Sequence, residues 1–110
     1  MNLENAKAQM RKGVLELCIL SIIAEKEAYP SDILGKLKEA ELIVVEGTLY
    51  PLLSRMKNSG ILGYNWKEST SGPPRKYYHL TDDGKEFLGE LNGLWTKLVS
   101  SVSKTTKSNS

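Results

Sequence analysis

The sequence predicts a mainly α-helical fold that carries one small two-stranded β hairpin. Three observations lead to this prediction. Apolar residues recur at helical spacing in three segments of the first half and in one long segment near the C-terminus. Two stretches of alternating apolar and polar residues lie between them, separated by "TSGPP". The predicted order is therefore helix, helix, helix, hairpin and helix, which is the winged helix-turn-helix arrangement.

The first predicted helix covers residues 6–26, with Gly13 as its main helix breaker. Apolar side chains cover most of the circumference of its second half. One small domain cannot bury a helix on nearly all sides, so we expect a second chain to cover part of it. Cys18, the single cysteine, lies in this segment and is interpreted as a small core residue.

The second and third predicted helices precede the hairpin. Tyr29 and Pro30 interrupt the helical pattern, and Ser31 is the predicted N-cap of a helix over residues 31–40. The third helix is predicted over about residues 46–59. Its apolar residues recur at i, i+3, i+4 and i+7 and form one buried face, Leu49, Leu52, Leu53 and Met56.

The opposite face of the third helix carries residues suited to DNA contact. Small and hydrogen-bonding side chains near its N-terminus, followed by Arg55, suit insertion into a major groove. The N-terminus can also accept a phosphate, although Glu46 opposes this locally. The residues of this face are Gly47, Thr48, Pro51, Ser54, Arg55 and Asn58, with Tyr50 and Lys57 on one flank.

The end of the hairpin, the wing, is predicted to be stiff and basic. Pro73, Pro74, Arg75 and Lys76 form its tip and outgoing edge. Two prolines reduce the freedom of the loop, so holding the cations against phosphates costs less entropy. An ordinary solvated hairpin end is the alternative, because the net charge of the chain is only +2. The joint placement of the third helix and this wing favours DNA contact.

The last predicted helix covers residues 82–102 and begins at the N-cap Thr81. It projects from a small domain, residues 1–81, and is followed by a basic tail, residues 103–110, that is predicted to be disordered. Its apolar residues are spaced 3, 4, 3 and 4 apart, which predicts a dimerisation helix. This predicted interface of a homodimer consists of Leu88, Leu91, Trp95, Leu98 and Val102.

No residue pattern predicts an enzyme. His79, the only histidine, is interpreted as a solvent-facing strand residue without an acidic partner. No cysteine–histidine cluster has metal-ligand spacing, and no glycine-rich phosphate loop is present. We therefore expect no catalytic residue, no metal and no cofactor. The sequence also lacks a signal-like segment and an apolar run long enough for a bilayer, which predicts a cytoplasmic protein without membrane contact.

Two motifs carry a resemblance to a known family. "GTLYPLLSRMKNSGIL" followed by "GPPRKYYHLTDDGKEFL" resembles the PadR family of bacterial transcriptional regulators. The resemblance covers about residues 13–100, and the short chain is similar to the subgroup with a single C-terminal dimerisation helix. It implies a homodimeric repressor that binds an inverted-repeat operator in double-stranded DNA. It places at the DNA Thr48, Tyr50, Arg55, Arg75 and Lys76.

One family motif is altered in this chain. Members usually have Tyr-Gly-Tyr before the second helix, whereas this chain has Tyr29, Pro30 and Ser31. Ser31 would supply a shorter phosphate contact than a tyrosine. The full set of predicted DNA-binding residues is Tyr29, Ser31, Thr48, Tyr50, Pro51, Ser54, Arg55, Asn58, Arg75 and Lys76.

The two tryptophans have different predicted roles. Two-fold symmetry would bring both copies of Trp95 together, and similar drug-sensing proteins stack planar aromatic ligands on a tryptophan at this place. Trp95 is thus a candidate residue for binding a small aromatic effector, and simple interface packing is its alternative. Trp66 is interpreted as a packing residue on the inward face of the wing. A protein–protein interaction module without DNA binding is the alternative function.

Overall fold

The computed structural model describes residues 1–107 and confirms the predicted fold class. Within these residues the chain forms five helices and one antiparallel hairpin, and the last helix is the longest. The elements are α1 (Leu3–Lys12), α2 (Leu15–Glu25), α3 (Pro30–Glu39), α4 (Glu46–Asn58), β1 (Leu62–Ser69), β2 (Gly72–Leu80) and α5 (Asp82–Thr106).

The prediction of one helix over residues 6–26 is wrong, because the chain forms α1 and α2 there. Gly13 follows the last residue of α1, and the Val14 N–H donates to the Arg11 carbonyl at 3.0 Å. Glycine is a weak helix former, and the segments on its two sides have different environments. In the described part of the chain α1 has no buried residue, whereas α2 buries Leu15, Ile19, Leu20 and Ile23.

The hydrophobic core lies between α2, α3, α4 and the base of the hairpin. Each helix contributes one apolar stripe, and the hairpin contributes residues from the end nearest the helices. Leu88 and Leu91 of α5 pack against this core from outside. The buried core residues are Leu15, Ile19, Leu20, Ile23, Ala28, Ile33, Leu37, Leu49, Leu53, Met56, Leu62 and Tyr78.

The start of α3 differs from the prediction that Ser31 is its N-cap. The N-cap is Tyr29, and Pro30 is the first helical residue. Proline suits this position because its missing N–H would have no helical partner there. The Tyr29 N–H donates to Asp32 Oδ2 at 3.3 Å, and the Asp32 N–H donates to the Tyr29 carbonyl at 2.9 Å. Ser31 is an exposed residue of the first turn.

The loop of the hairpin is shorter than predicted. Ser69 opposite Gly72 is the last strand pair, so residues 70–71 form the turn. Pro73 and Pro74, which the sequence places in the loop, are therefore part of β2. The strand register is irregular just before Ser69, and proline is tolerated near such strand ends.

A short bridge joins the α2–α3 connection to the free edge of β2. The Ala28 N–H donates to the Tyr78 carbonyl at 3.1 Å, and the Tyr78 N–H donates to the Ala28 carbonyl at 2.8 Å. Both residues are buried. The bridge fixes the wing relative to the N-terminus of α3.

The beginning of α5 is held against the junction between α4 and β1. Gly60 has φ 84° and closes α4 in the left-handed conformation, as predicted. Thr81 is the N-cap of α5, also as predicted: its Oγ1 accepts from the Gly84 N–H at 3.0 Å and donates to the Gly60 carbonyl at 2.6 Å. Gly84 is buried, and a Cβ atom there would lie 2.0 Å from the carbonyl oxygen of Ile61.

The C-terminal helix is longer than the predicted range 82–102. It continues to Thr106, so residues 103–106 are helical rather than part of a disordered tail. The Thr106 Oγ1 donates to the Val102 carbonyl at 2.8 Å inside this last part. Residues 108–110 of the predicted tail lie outside the described part of the chain.

The predicted seam of α5 is divided by the structure. Leu88 and Leu91 are half-buried against the core of their own chain. Beyond them the same stripe is exposed, and it includes two residues that the sequence analysis missed, Leu94 and Val99. The exposed apolar residues in this second half of α5 are Leu94, Trp95, Leu98, Val99 and Val102.

Within residues 1–107, no helix combines the length and the hydropathy required to cross a membrane.

Candidate nucleic-acid interface

The helix α4 separates an apolar face from a polar face, as predicted. Leu49, Leu53 and Met56 are buried, and Leu52 is half-buried. Because these residues anchor one face in the core, the opposite face points to solvent. All eight residues predicted on or beside that face are exposed, namely Gly47, Thr48, Tyr50, Pro51, Ser54, Arg55, Lys57 and Asn58.

The helix α4 begins after Val45, which has an extended conformation. The Val45 carbonyl accepts hydrogen bonds from the N–H groups of Thr48 at 3.0 Å and Leu49 at 3.1 Å. Glu46 is exposed in the first turn, where its negative charge interacts favourably with the helix dipole. Tyr50 is nearly half-exposed one turn later. Thr48 and Tyr50 are therefore both exposed near the N-terminus of α4, but because they are two residues apart they point to different sides of the helix.

Arg55 has a partner that the sequence analysis missed. Its Nη2 donates to Oε1 of Glu16 on α2, although 62% of the Arg55 side chain remains exposed. An ion pair between exposed side chains contributes only about 0–1 kcal/mol. Arg55 can therefore exchange this carboxylate for a DNA base or phosphate at small cost. Only the fold brings α2 to α4, so no local sequence signal indicates the pair.

The wing has two faces, and they separate the two cations that the sequence analysis grouped together. Successive residues of a strand point to opposite faces. Arg75 lies opposite Lys67 and Lys76 lies opposite Trp66 in the strand register. We call the face that carries Tyr78 and points toward the core the inner face. The opposite face is the outer face. Lys76 thus belongs to the inner face and Arg75 to the outer face.

The outer face is a layered arrangement of aromatic rings and cations. The Arg75 guanidinium carbon lies 4.6 Å from the Tyr29 ring centroid, and the Tyr29 and Tyr77 rings meet edge to face at 5.1 Å. Lys67 Nζ lies 4.7 Å from the Tyr77 ring and forms an ion pair with Glu27. These contacts position Arg75 beside Tyr29, the N-cap of α3.

The inner face joins the wing to α4. Lys76 Nζ lies 4.5 Å from the Tyr64 ring and 5.4 Å from the Trp66 ring. Lys57 of α4 lies 5.7 Å from the Tyr64 ring. The interpretation of Trp66 as an inward packing residue is wrong, because its side chain is 61% exposed. The hairpin extends beyond the core, so the inner face is buried only near its base.

His79 is not the solvent-facing residue that the alternation predicts. It is half-buried, and its ring covers Gly63 so closely that a Cβ atom on Gly63 would lie 2.8 Å from Nε2. Its Nδ1 has no hydrogen-bond partner among the described residues.

Cys18 is half-buried, and burial raises the pKa of its thiol, in agreement with a packing role. In residues 1–107 no cluster of three or more His, Cys, Asp and Glu side chains is arranged to hold a metal.

Comparisons with known proteins agree with this geometry. Residues 19–90, more than half of the chain, match the model of the transcriptional regulator PadR-like family. A PadR-like transcription factor from Bacteroides fragilis is 59% identical, with coverage of 92% of this chain and 98% of that chain and a TM-score of 0.77. A PadR-like regulator from Bacillus cereus is 43% identical (88% and 95% covered, TM-score 0.79). A PadR family regulator from Eggerthella lenta is 31% identical (94% and 90% covered, TM-score 0.86).

Proposed function

The chain belongs to the PadR-like family of transcriptional regulators, and from this premise we propose that it is a homodimeric repressor of an inverted-repeat operator. Each α4 enters a major groove, and each wing contacts the flanking backbone or minor groove. The protein acts in the cytoplasm by binding alone, without a chemical step.

One observation carries the proposal: the exposed polar face of α4 continues into a basic wing. Lys57 and Lys76 approach the same Tyr64 ring, from α4 and β2 respectively. The adjacency of α4 and the inner face of the wing supports the proposal that both contact the same DNA. Contacts to phosphates position such a surface, and contacts to base edges give it sequence specificity.

The predicted DNA-binding residues have distinct proposed roles. Thr48, Tyr50 and Arg55 contact base edges, with Arg55 first among them because a guanidinium can bind guanine through two hydrogen bonds. Arg75 and Lys76 bind phosphates from opposite faces of the wing. The remaining contacts are made to the DNA backbone by Tyr29, Ser31, Pro51, Ser54 and Asn58.

The proposed dimer is supported by the exposed apolar stripe on α5. Monomeric proteins rarely expose so many adjacent large apolar side chains, and two-fold pairing of α5 would bury them. If both copies of α4 enter successive major grooves on one side of the DNA, they lie about 34 Å apart, which is one turn of the DNA. The two-fold symmetry of such a dimer favours an operator with inverted half-sites.

Binding to DNA from upstream of the gene of this protein tests the proposed function. Fluorescence anisotropy titrations compare labelled upstream fragments with a scrambled duplex of equal length, over a series of salt concentrations. We expect at least one fragment to bind about 10³-fold or more tightly than the scrambled duplex, and its affinity to fall with salt. A dimer that binds no fragment at low salt would indicate a protein–protein interaction module instead.

We further propose that a planar aromatic compound releases the operator by stacking on Trp95. Trp95 is 44% exposed within the stripe of α5, and pairing of this stripe about a two-fold axis would bring two such rings together. Trp66→Phe leaves Trp95 as the only tryptophan. We expect planar aromatic compounds to quench its fluorescence and to lower DNA affinity in the same concentration range. Quenching without any effect on DNA affinity would contradict release by this route.

A further inference from the structure

Trp66 is a large aromatic residue that lies on the part of the wing beyond the core and is left exposed there. The side chain projects from the middle of β1 and is 61% exposed, although Tyr64 and Tyr78 on the same face lie deeper. Its ring meets the Tyr64 ring edge to face at 6.1 Å and a 90° interplanar angle. One flank of the indole is thus held in place, and most of its surface is left to solvent.

The neighbours of Trp66 supply positive charge. Lys76 lies directly opposite in the strand register, with Nζ 5.4 Å from the indole. Lys57 reaches the same aromatic group from α4, because it lies 5.7 Å from the Tyr64 ring. Glu68, the acidic residue of β1, lies nearer the tip of the wing, where the strand register becomes irregular. An apolar ring with one ammonium group beside it and a second across the Tyr64 ring matches a nucleotide, in which the C–H surface of the deoxyribose adjoins an anionic phosphate.

We propose that Trp66 is a DNA-contacting residue, which packs on a deoxyribose and base edge of the strand whose phosphate Lys76 binds. This inference rests on the proposed use of the wing at DNA. Side chains that pack in a minor groove are commonly apolar and flanked by cations. The contact extends the DNA surface from α4 along the inner face of the wing.

The charges around Trp66 favour DNA over a second protein chain. The exposed apolar stripe that a second copy would cover lies on the second half of α5. The inner face of the wing instead combines one exposed ring with lysines from two elements. Lysine is depleted in the buried centres of protein interfaces, whereas phosphate contacts require it.

The fluorescence of Trp66 tests the contact directly. In Trp95→Phe, Trp66 is the only tryptophan, and in Trp66→Phe only Trp95 remains. We expect the upstream fragment with the highest affinity to quench Trp66 emission in proportion to bound DNA. The Trp95 signal of the matched variant should change much less. Dilution of the free protein should leave Trp66 emission constant, since no second copy covers it.

Affinity measurements separate an apolar contact from a charged one. We expect Trp66→Ala to bind the same fragment about tenfold more weakly with an unchanged salt slope, because no charge is lost. Lys76→Ala should lower the magnitude of the slope, d log K/d log [salt], by about one. Trp66→Phe should retain more affinity than Trp66→Ala. Circular dichroism of each variant checks the fold, which an exposed side chain should not affect.

Three results would overturn the inference. If Trp66→Ala binds DNA with parental affinity, and saturating DNA leaves the Trp66 emission of Trp95→Phe unchanged, the contact is excluded and the proposed function stays intact. Trp66 emission that follows protein concentration rather than DNA would assign the ring to a protein interface. Failure of the parent protein to bind any upstream fragment would overturn the proposed function and this inference together.

Discussion

Replacement of Gly84 by alanine is expected to lower the free energy of unfolding by about 2 kcal/mol. The new Cβ atom would lie 2.0 Å from the carbonyl oxygen of Ile61, far inside van der Waals contact. Because that oxygen belongs to the backbone, no side-chain rotation relieves the clash, and α5 must move away from the α4–β1 junction. The shift would also disturb the hydrogen bonds of Thr81 to Gly84 and Gly60.

Gly89→Ala is the matched control in the same helix. Within the described structure, a Cβ atom at Gly89 meets no atom within 4 Å. Alanine is the better helix former by about 1 kcal/mol, so this variant should be as stable as the parent or more stable. Thermal unfolding at one fixed protein concentration should show a melting temperature about 10 °C lower for Gly84→Ala. Equal melting temperatures for the two variants would show that α5 is not fixed as described.

Leu98→Asp is expected to dissociate the dimer and to abolish tight operator binding. Leu98 lies in the exposed stripe of α5, between Trp95 and Val102. Two-fold symmetry would introduce the charge twice, in an interface where each carboxylate lacks a partner. We expect the dimer dissociation constant to rise at least about a hundredfold, which corresponds to about 2.7 kcal/mol. Sedimentation velocity measures this change, and DNA titration should show a parallel loss of affinity.

Ser100→Asp introduces the same charge on the opposite face of α5. Ser100 and Leu98 are both exposed, and two helical residues apart they differ by about 200° around the axis. This variant should remain dimeric and bind DNA with nearly parental affinity. If Leu98→Asp also stays dimeric at the same concentration, the exposed stripe of α5 is not the interface.

Sequence periodicity predicts those parts of this fold that depend on local physics. The i, i+3, i+4, i+7 pattern of α4 fixes which face is buried, and the structure agrees at Leu49, Leu53 and Met56. The caps at Gly60 and Thr81 are likewise set by backbone conformation and nearby hydrogen bonds. These features need no knowledge of distant contacts.

The missed features depend on where the elements meet. Alternation places Trp66 on the inner face, but only the length of the wing beyond the core decides that it is exposed. The partnership of Arg55 with Glu16 depends on contact between α4 and α2. The stacking of Arg75 on Tyr29 depends on the bridge that holds the α2–α3 connection beside β2. Adjacent cations in a sequence predict a basic segment, but only the strand register shows which face of the sheet each cation occupies.

The central claim is that the exposed face of α4 reads base sequence, and Arg55→Ala tests it most directly. Its affinity is measured for the upstream fragment with the highest parental affinity and for a scrambled duplex. Glu16→Gln serves as the control, because it removes the ion pair and keeps the guanidinium. We expect Arg55→Ala to lose about 1–3 kcal/mol on the upstream fragment and much less on the scrambled duplex, while Glu16→Gln retains the parental preference. An equal loss on both duplexes would mean that Arg55 contacts only phosphate, and would contradict base readout by this face of α4.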